Sequence, residues 1–157
     1  EAESEISRLD TLYQRLVLLD NPYQANQVMV QLLTAKAWFY FANGNNIEAI
    51  NLMRDAADKE DKTAKPPVTP CEVIPARELL GDLFLALDNP QDALIAYKTD
   101  LDGHPQRFNG IYGAAKALSK EGKIKEAKMY FEKLIQLAQP ESKRVELQEA
   151  KEFISKI

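Results

Sequence analysis

This chain is poor in the residues that do chemistry. Its 157 residues include one cysteine, one histidine and one tryptophan. A single cysteine excludes an internal disulfide and a cysteine-rich metal site. The lone histidine, His104, sits in a Gly-His-Pro turn. Glycine is scarce, at six residues, and none falls in a phosphate-cradling loop. No nucleophile–base pair is legible, so the chain is read as non-catalytic, with no cofactor and no metal. Long apolar runs are missing too. The longest, Ala37-Trp-Phe-Tyr-Phe-Ala42, is far short of the ~20 residues a membrane span needs, so no membrane insertion is expected. A net charge of −4 argues against general nucleic-acid binding. The chain starts at Glu1, without Met or a signal peptide. It is therefore read as the C-terminal part of a longer protein.

What the chain does have is internal repetition. Sliding it by 34 residues places Gly81, Ala93 and Tyr97 on Ala115, Ala127 and Phe131. The same shift places Leu80 and Phe84 on Ala114 and Leu118. An earlier copy carries Ala37, Tyr40, Ala49, Met53 and Ala56, offset by 44 residues instead of 34, so about ten extra residues intervene. Repeats of this length with helical periodicity mean stacked helix pairs, an all-α solenoid. Expected helices run from about Glu5 to Leu19, to Ala42, Asn46–Glu60, Ala76–Leu87, Pro90–Leu101, Gln106–Lys120, Ile124–Ala138 and Glu141–Ile157. Asn21-Pro22, Asn89-Pro90 and Pro140 read as helix starts, because Asn caps and Pro is tolerated in a first turn. Ile6, Leu9, Leu12, Leu16 and Leu19 are expected to form the packed face of the first helix. The last helix, amphipathic through Leu147, Ala150, Ile154 and Ile157, would seal the open end of the array.

The surplus residues coincide with a proline-rich stretch. Four of the eight prolines, Pro66, Pro67, Pro70 and Pro75, lie here. Proline fixes φ and lacks an N–H, so the stretch is expected to run extended. The organisation read from these patterns is one domain over 1–157. It has a flanking helix at 1–20, repeats at 30–61, 74–107 and 108–140, a proline-rich loop at 62–73 and a capping helix at 141–157.

The segment Pro75-Ala-Arg-Glu-Leu-Leu-Gly81-Asp-Leu-Phe84, followed by Ala93-Leu-Ile-Ala-Tyr97 and Pro105, resembles the tetratricopeptide repeat. That signature sets small residues where two antiparallel helices approach and aromatics where the gap must be filled. The stretch from Ala56 through Pro67-Val-Thr-Pro70 to Asp82, with Arg107-Phe-Asn-Gly-Ile-Tyr-Gly-Ala-Ala115, resembles a group of uncharacterised bacterial repeat proteins with such an insertion. The likeness runs from about Pro22 to the end. It departs at Cys71, where relatives carry glycine, and at Pro66, where they carry histidine. The resemblance implies a protein- or peptide-binding scaffold, and weakly an exported bacterial protein. It also implies that the first helix of each pair lines a concave face. On this chain that face comprises Gln31, Thr34, Trp38 and Phe41, then Glu78, Asp82 and Leu85, then Asn109, Tyr112 and Lys116. Aromatic anchors favour binding, although Trp38 and Phe41 could instead pack under the proline-rich loop or against the first helix. The carboxylate clamp of some relatives is absent, since Thr34, Trp38, Leu79, Pro75 and Gly113 stand at its places.

The remaining charged features have plainer readings. Glu78 and Asp82 share a helix face; without His or Cys they read as a solvated or salt-bridged pair. Arg77, at a place usually bulky and apolar, is expected to reach a carboxylate, Glu48 or Asp82. Asp55, Asp58, Glu60 and Asp61 lack calcium-loop spacing and read as a solvated helix end. Lys116, Lys120, Lys123, Lys125 and Lys128, interleaved with Glu121 and Glu126, read as an exposed face. Cys71 is expected to tuck against the array. Two other functions stay open: a spacer or oligomerisation domain whose groove is filled by the loop or a neighbouring domain, and the accessory domain of an enzyme.

Overall fold

The computed structural model describes residues 1–63, 73–139 and 141–157. The expectations placed on Pro66, Pro67, Pro70, Cys71 and Pro140 lie outside these. The described residues form eight helices and no strand: α1 (Ala2–Leu18), α2 (Pro22–Ala42), α3 (Asn46–Asp61), α4 (Ala76–Ala86), α5 (Pro90–Gly103), α6 (Phe108–Lys120), α7 (Ile124–Leu137) and α8 (Val145–Ser155). They gather into two compact units, Glu1–Leu83 and Phe84–Ile157.

Helix boundaries follow local chemistry. Asn21, Asn45 and Asn89 each accept the backbone N–H three residues ahead, so one orphan donor is satisfied at the start of α2, α3 and α5. Four helix ends share one hydrogen-bonded turn. The N–H of Asn21, Asn45, Asn89 and Lys123 each reaches back to the carbonyl of Leu16, Tyr40, Phe84 and Leu118. The residue just before each of these is left-handed: Asp20, Gly44, Asp88 and Gly122, with φ of 51°, 78°, 55° and 75°. This is the Schellman stop, which glycine adopts freely and aspartate tolerates at a cost.

The small residues singled out by the repeat are where helices meet. Ala37, Ala49, Ala56, Ala93, Ala115 and Ala127 are fully buried. In the first unit α2 packs on α1 and α3, around Leu32, Ala37 and Met53. In the second, α6 packs on α5 and α7, and α7 on α8, around Tyr97, Ile111, Leu118, Phe131 and Leu134. The α5–α6 approach depends on Gly113, because a Cβ there would overlap the Tyr97 ring. The Tyr97 ring and Gly113 therefore specify each other.

Three expectations about helix faces and ends need correction. On α1 the partly buried positions are Ile6, Leu9, Tyr13 and Leu16, whereas Leu12 and Leu19 stand in solvent. Leu19 lies beyond the helix, and Tyr13, not Leu12, continues the helical stripe. The last helix starts at Val145, not Glu141. Its N-cap, Arg144, is extended and held from outside: the guanidinium lies 3.8 Å over the Phe108 ring and donates to Asn109 Oδ1 at 2.8 Å. Ile157 is exposed, and Phe153 takes its expected place by packing 4.8 Å from the Phe131 ring.

The third correction concerns the acids ending α3, which are not merely solvated. Buried Glu60 accepts the Ala76 N–H at 2.5 Å, placing an acceptor at the first turn of α4, where orphan N–H groups point. Arg77 does turn to carboxylates, but to Asp58 and Asp61, each 2.6 Å from its Nη2, and not to Glu48 or Asp82. Both acids lie within one turn of the end of α3, directly across from the start of α4.

Candidate functional site

In the first unit, the candidate face is a stripe along α2. Gln31, Thr34, Trp38 and Phe41 recur at helical spacing, and none carries a charge. Trp38 and Phe41 meet edge to face, 5.6 Å between ring centres. Both rings are half-buried. The Thr34 hydroxyl donates within its own helix, to the Gln31 carbonyl. Among the described residues, no hydrogen bond or ion pair ties these four side chains to another helix.

The α4 residues divide. Asp82 is exposed, but Glu78 is only 1% exposed and has interactions of its own. Glu78 therefore presents no carboxylate to solvent. The reason is that α4 is buried around more than one face, at Ala76, Leu80, Gly81, Leu83 and Phe84 as well.

In the second unit, the candidate residues of α6 all engage the segment that ends the chain. The Tyr112 hydroxyl donates to Glu149 Oε2 at 2.5 Å, and Lys116 Nζ donates to the same oxygen at 2.9 Å. Lys116 also sits 5.6 Å over the Tyr112 ring. Asn109 accepts from Arg144, which in turn pairs with Glu146. The electrostatics follow from this arrangement. Burial, then the bond to Glu149, pushes the Tyr112 phenol well above its ordinary range, so it remains a donor. The Tyr112 hydroxyl, then Lys116, holds the Glu149 carboxyl below its ordinary value. Arg144 likewise lowers Glu146. Of the other lysines of this region, Lys120 pairs with Asp88 at the end of α4, Lys123 with Glu121 and Lys128 with Glu132. His104 is paired within α5, its Nδ1 2.9 Å from Asp100 Oδ1.

Sequence reasoning missed a cavity of about 1130 Å³ among α1, α2 and α3, lined by Tyr13, Tyr23, Met29 and Leu33 together with Asp55 and Lys59. Its signal was the second apolar face of α2, which the repeat pattern gave no reason to separate from the core. None of Gln31, Thr34, Trp38 and Phe41 lines it.

Residues 110–140 match the family model of the tetratricopeptide repeat. Solved structures agree on the architecture. The first tetratricopeptide domain of Spaghetti (RPAP3), solved with an HSP90 peptide of sequence SRMEEVD, is 18% identical with a TM-score of 0.63. It covers 82% of this chain and 92% of its own. The first such domain of human RPAP3 is also 18% identical, with a TM-score of 0.60, covering 82% and 94%. MamA from Desulfovibrio magneticus RS-1 is 13% identical, with a TM-score of 0.58, covering 96% and 92%. No curated protein matches the chain in sequence. The fold is thus an all-α arrangement of tetratricopeptide type, and residues 110–140 carry one such repeat. No helix among the described residues is long and apolar enough to cross a membrane.

Proposed function

We propose that the chain is a non-catalytic scaffold that binds a protein or peptide, using the inward stripes of its first-in-pair helices. The observation that carries this reading is the α2 stripe. An uncharged row ends in two half-buried aromatics, Trp38 and Phe41, with no hydrogen bond or ion pair to another helix among the described residues. Partly exposed aromatics of this kind supply contact area at low entropic cost. The fold supports the reading, since one neighbour of the same architecture was solved holding a peptide. Gln31, Thr34, Trp38 and Phe41 form the contact row of the first unit; Asn109, Tyr112 and Lys116 form that of the second. Asp82 belongs to the face and Glu78 does not, because it is buried.

The test uses the single tryptophan as a built-in reporter. Proteins are captured from the source cell with the parent chain and with Trp38→Ala/Phe41→Ala, each verified for helix content by circular dichroism. A protein retained by the parent and lost by the variant is then cut into peptides and titrated while Trp38 emission is recorded. A saturable shift in emission is the expected result. Identical capture by both chains, or a bound peptide that leaves Trp38 emission unmoved, overturns the reading.

A further inference from the structure

Helix α2 is apolar around most of its circumference and poorly covered. Lys36 is the one charge among its 21 residues, yet only Ala25, Val30, Leu32 and Ala37 are buried. A helix that is apolar on every side belongs in an interior. The row ending in Trp38 and Phe41 accounts for one uncovered face. A second stripe, Asn26, Met29 and Leu33, recurs at helical spacing on another face and floors the cavity of about 1130 Å³. Tyr13 and Val17 of α1 form one wall, and the last turns of α3 form the other. The cavity lies wholly within the first unit. Its one amide is engaged: Asn26 donates to the Thr63 hydroxyl at 2.6 Å, and that hydroxyl donates to the Lys59 carbonyl at 2.7 Å. Of the charged side chains at the rim, Asp58 is bound to Arg77. The Lys59 and Lys62 ammoniums and the Asp55 carboxylate have no ion pair among the described residues. The opening therefore carries two uncommitted ammoniums against one carboxylate.

We infer that this cavity binds a single-chain amphiphile with an anionic head, of the fatty-carboxylate class. The inference goes beyond the scaffold reading and does not depend on it, since the site uses a different face of α2. The tail lies over Met29 and Leu33 between the Tyr13 and Val17 wall and α3, and the head sits at Lys59 and Lys62. From Pro22 to Leu33 the floor runs about 16 Å along the helix axis, room for a medium alkyl chain. Each methylene taken out of water adds to the affinity. A peptide fits this floor less well. Its backbone N–H and C=O groups need partners, and the Asn26 amide is already engaged; an alkyl chain needs none. Charge complementarity selects the head: a carboxylate is drawn to the two ammoniums, and a cationic head is repelled by them. The flexible lysine stems let both ammoniums reach it while their methylenes cover the tail.

The experiment is isothermal titration calorimetry of the chain with decanoate, decanol and decyltrimethylammonium, which share one tail, each kept below its micelle concentration. Saturable binding is expected, with decanoate about fivefold tighter than decanol, the order of two exposed ion pairs, and decyltrimethylammonium weakest. Lys59→Gln/Lys62→Gln should bring decanoate to the decanol value and leave decanol unchanged. Lys98→Gln/Lys125→Gln removes the same charge from exposed sites on α5 and α7 and should change nothing. Met29→Trp fills the floor and should weaken decanoate and decanol alike, by about tenfold, through lost tail burial. If that variant loses helix content, Tyr13→Trp takes its place under the same criterion. Absence of saturable decanoate binding overturns the inference. So does decanol or decyltrimethylammonium binding as tightly as decanoate, a preference that survives loss of both lysines, or an affinity untouched by the filled floor. Binding to phosphatidylglycerol vesicles without binding of monomeric decanoate overturns it as well and assigns the face to a membrane surface. Trp38→Ala/Phe41→Ala should leave decanoate affinity unchanged; a loss there places the tail on the other face and overturns the inference. Failure of decanoate to bind leaves the scaffold test, which reads Trp38 emission, standing.

Discussion

The candidate rows on α2 and α6 occupy equivalent places in the repeat and are built oppositely. The α2 row is uncharged and ends in two aromatics, and among the described residues no hydrogen bond or ion pair ties it to a neighbouring helix. The α6 row is polar and each member is tied to the chain's own C-terminal segment. Repeat position alone does not decide whether a side chain is available; its neighbours do. A row that is apolar gains by covering itself with a partner; a row of donors is satisfied by whichever acceptor is nearest.

The largest expected effect tests how the α6 row is aimed. Gly113 lies beside Tyr112, and Tyr97 fills the space its Cβ would need. The α2 residue at the equivalent place is Ala35, which is only half-buried. Gly113→Ala should therefore destabilise the chain by about 3 kcal/mol, read as a lowered urea midpoint, because a buried ring must move. If the loss is under about 0.5 kcal/mol, Tyr97 does not position α6.

Next is Arg77→Ala, which removes one of the two ties between α3 and α4 and leaves the Glu60–Ala76 bond. Its partners Asp58 and Asp61 are roughly half in solvent, so the ionic part is discounted, and the stem's packing adds to it. A loss of about 1 kcal/mol is expected, with Trp38 emission unchanged, since the tie does not involve the α2 row. A shift in that emission would make the two features one.

The third effect separates the rows by pH. Glu149 has its folded-state pKa lowered by Tyr112 and Lys116. Its contribution is present above the unfolded value near 4.5 and is lost as pH falls through the lower folded value. Acidification below that point should loosen the α6–α8 tie, and Tyr112→Phe should flatten the dependence. The α2 row contains no titratable group and should show none. Near-ultraviolet circular dichroism for tyrosine and emission for Trp38 follow the two rows separately.

The smallest effect compares the same turn in both units. Asp20 and Asp88 hold left-handed φ that glycine adopts without strain. Asp20→Gly should raise stability by about 0.5 kcal/mol, after the extra unfolded-state entropy of glycine is subtracted. Asp88→Gly should gain less, because it also removes the Lys120 partner. Equal gains would mean that the Lys120 contact contributes nothing.

Most of the fold was legible because it rests on local rules. Asn caps and the small residues of the repeat are visible in the sequence, and α2 and α3 begin where the sequence places them. The misplaced start of α8 has a tertiary cause: Arg144 is held by Phe108 and Asn109, far back in the chain. The partners of Arg77 were missed for a related reason. Register across a long insertion is not a sequence property, so Asp58 and Asp61 could not be favoured over Glu48 or Asp82. For Tyr112 and Lys116, the shared helix face was readable and the acceptor was not. Nothing in the spacing of Tyr112 and Lys116 announces Glu149, which lies more than thirty residues further on.

The junction of α3 and α4 has a consequence for how such a chain can change. Glu60 fastens the first turn of α4 and Arg77 fastens the last turn of α3, so side chains register the two helices. Between ends fixed in this way, closure costs only about 0.6 kcal/mol more for each doubling of the connecting length. Lengthening the sequence between them should therefore leave the urea midpoint almost unchanged. Four of the helix ends close instead in one short left-handed stop, so this junction is where a tag or a second binding segment could be grafted at little cost.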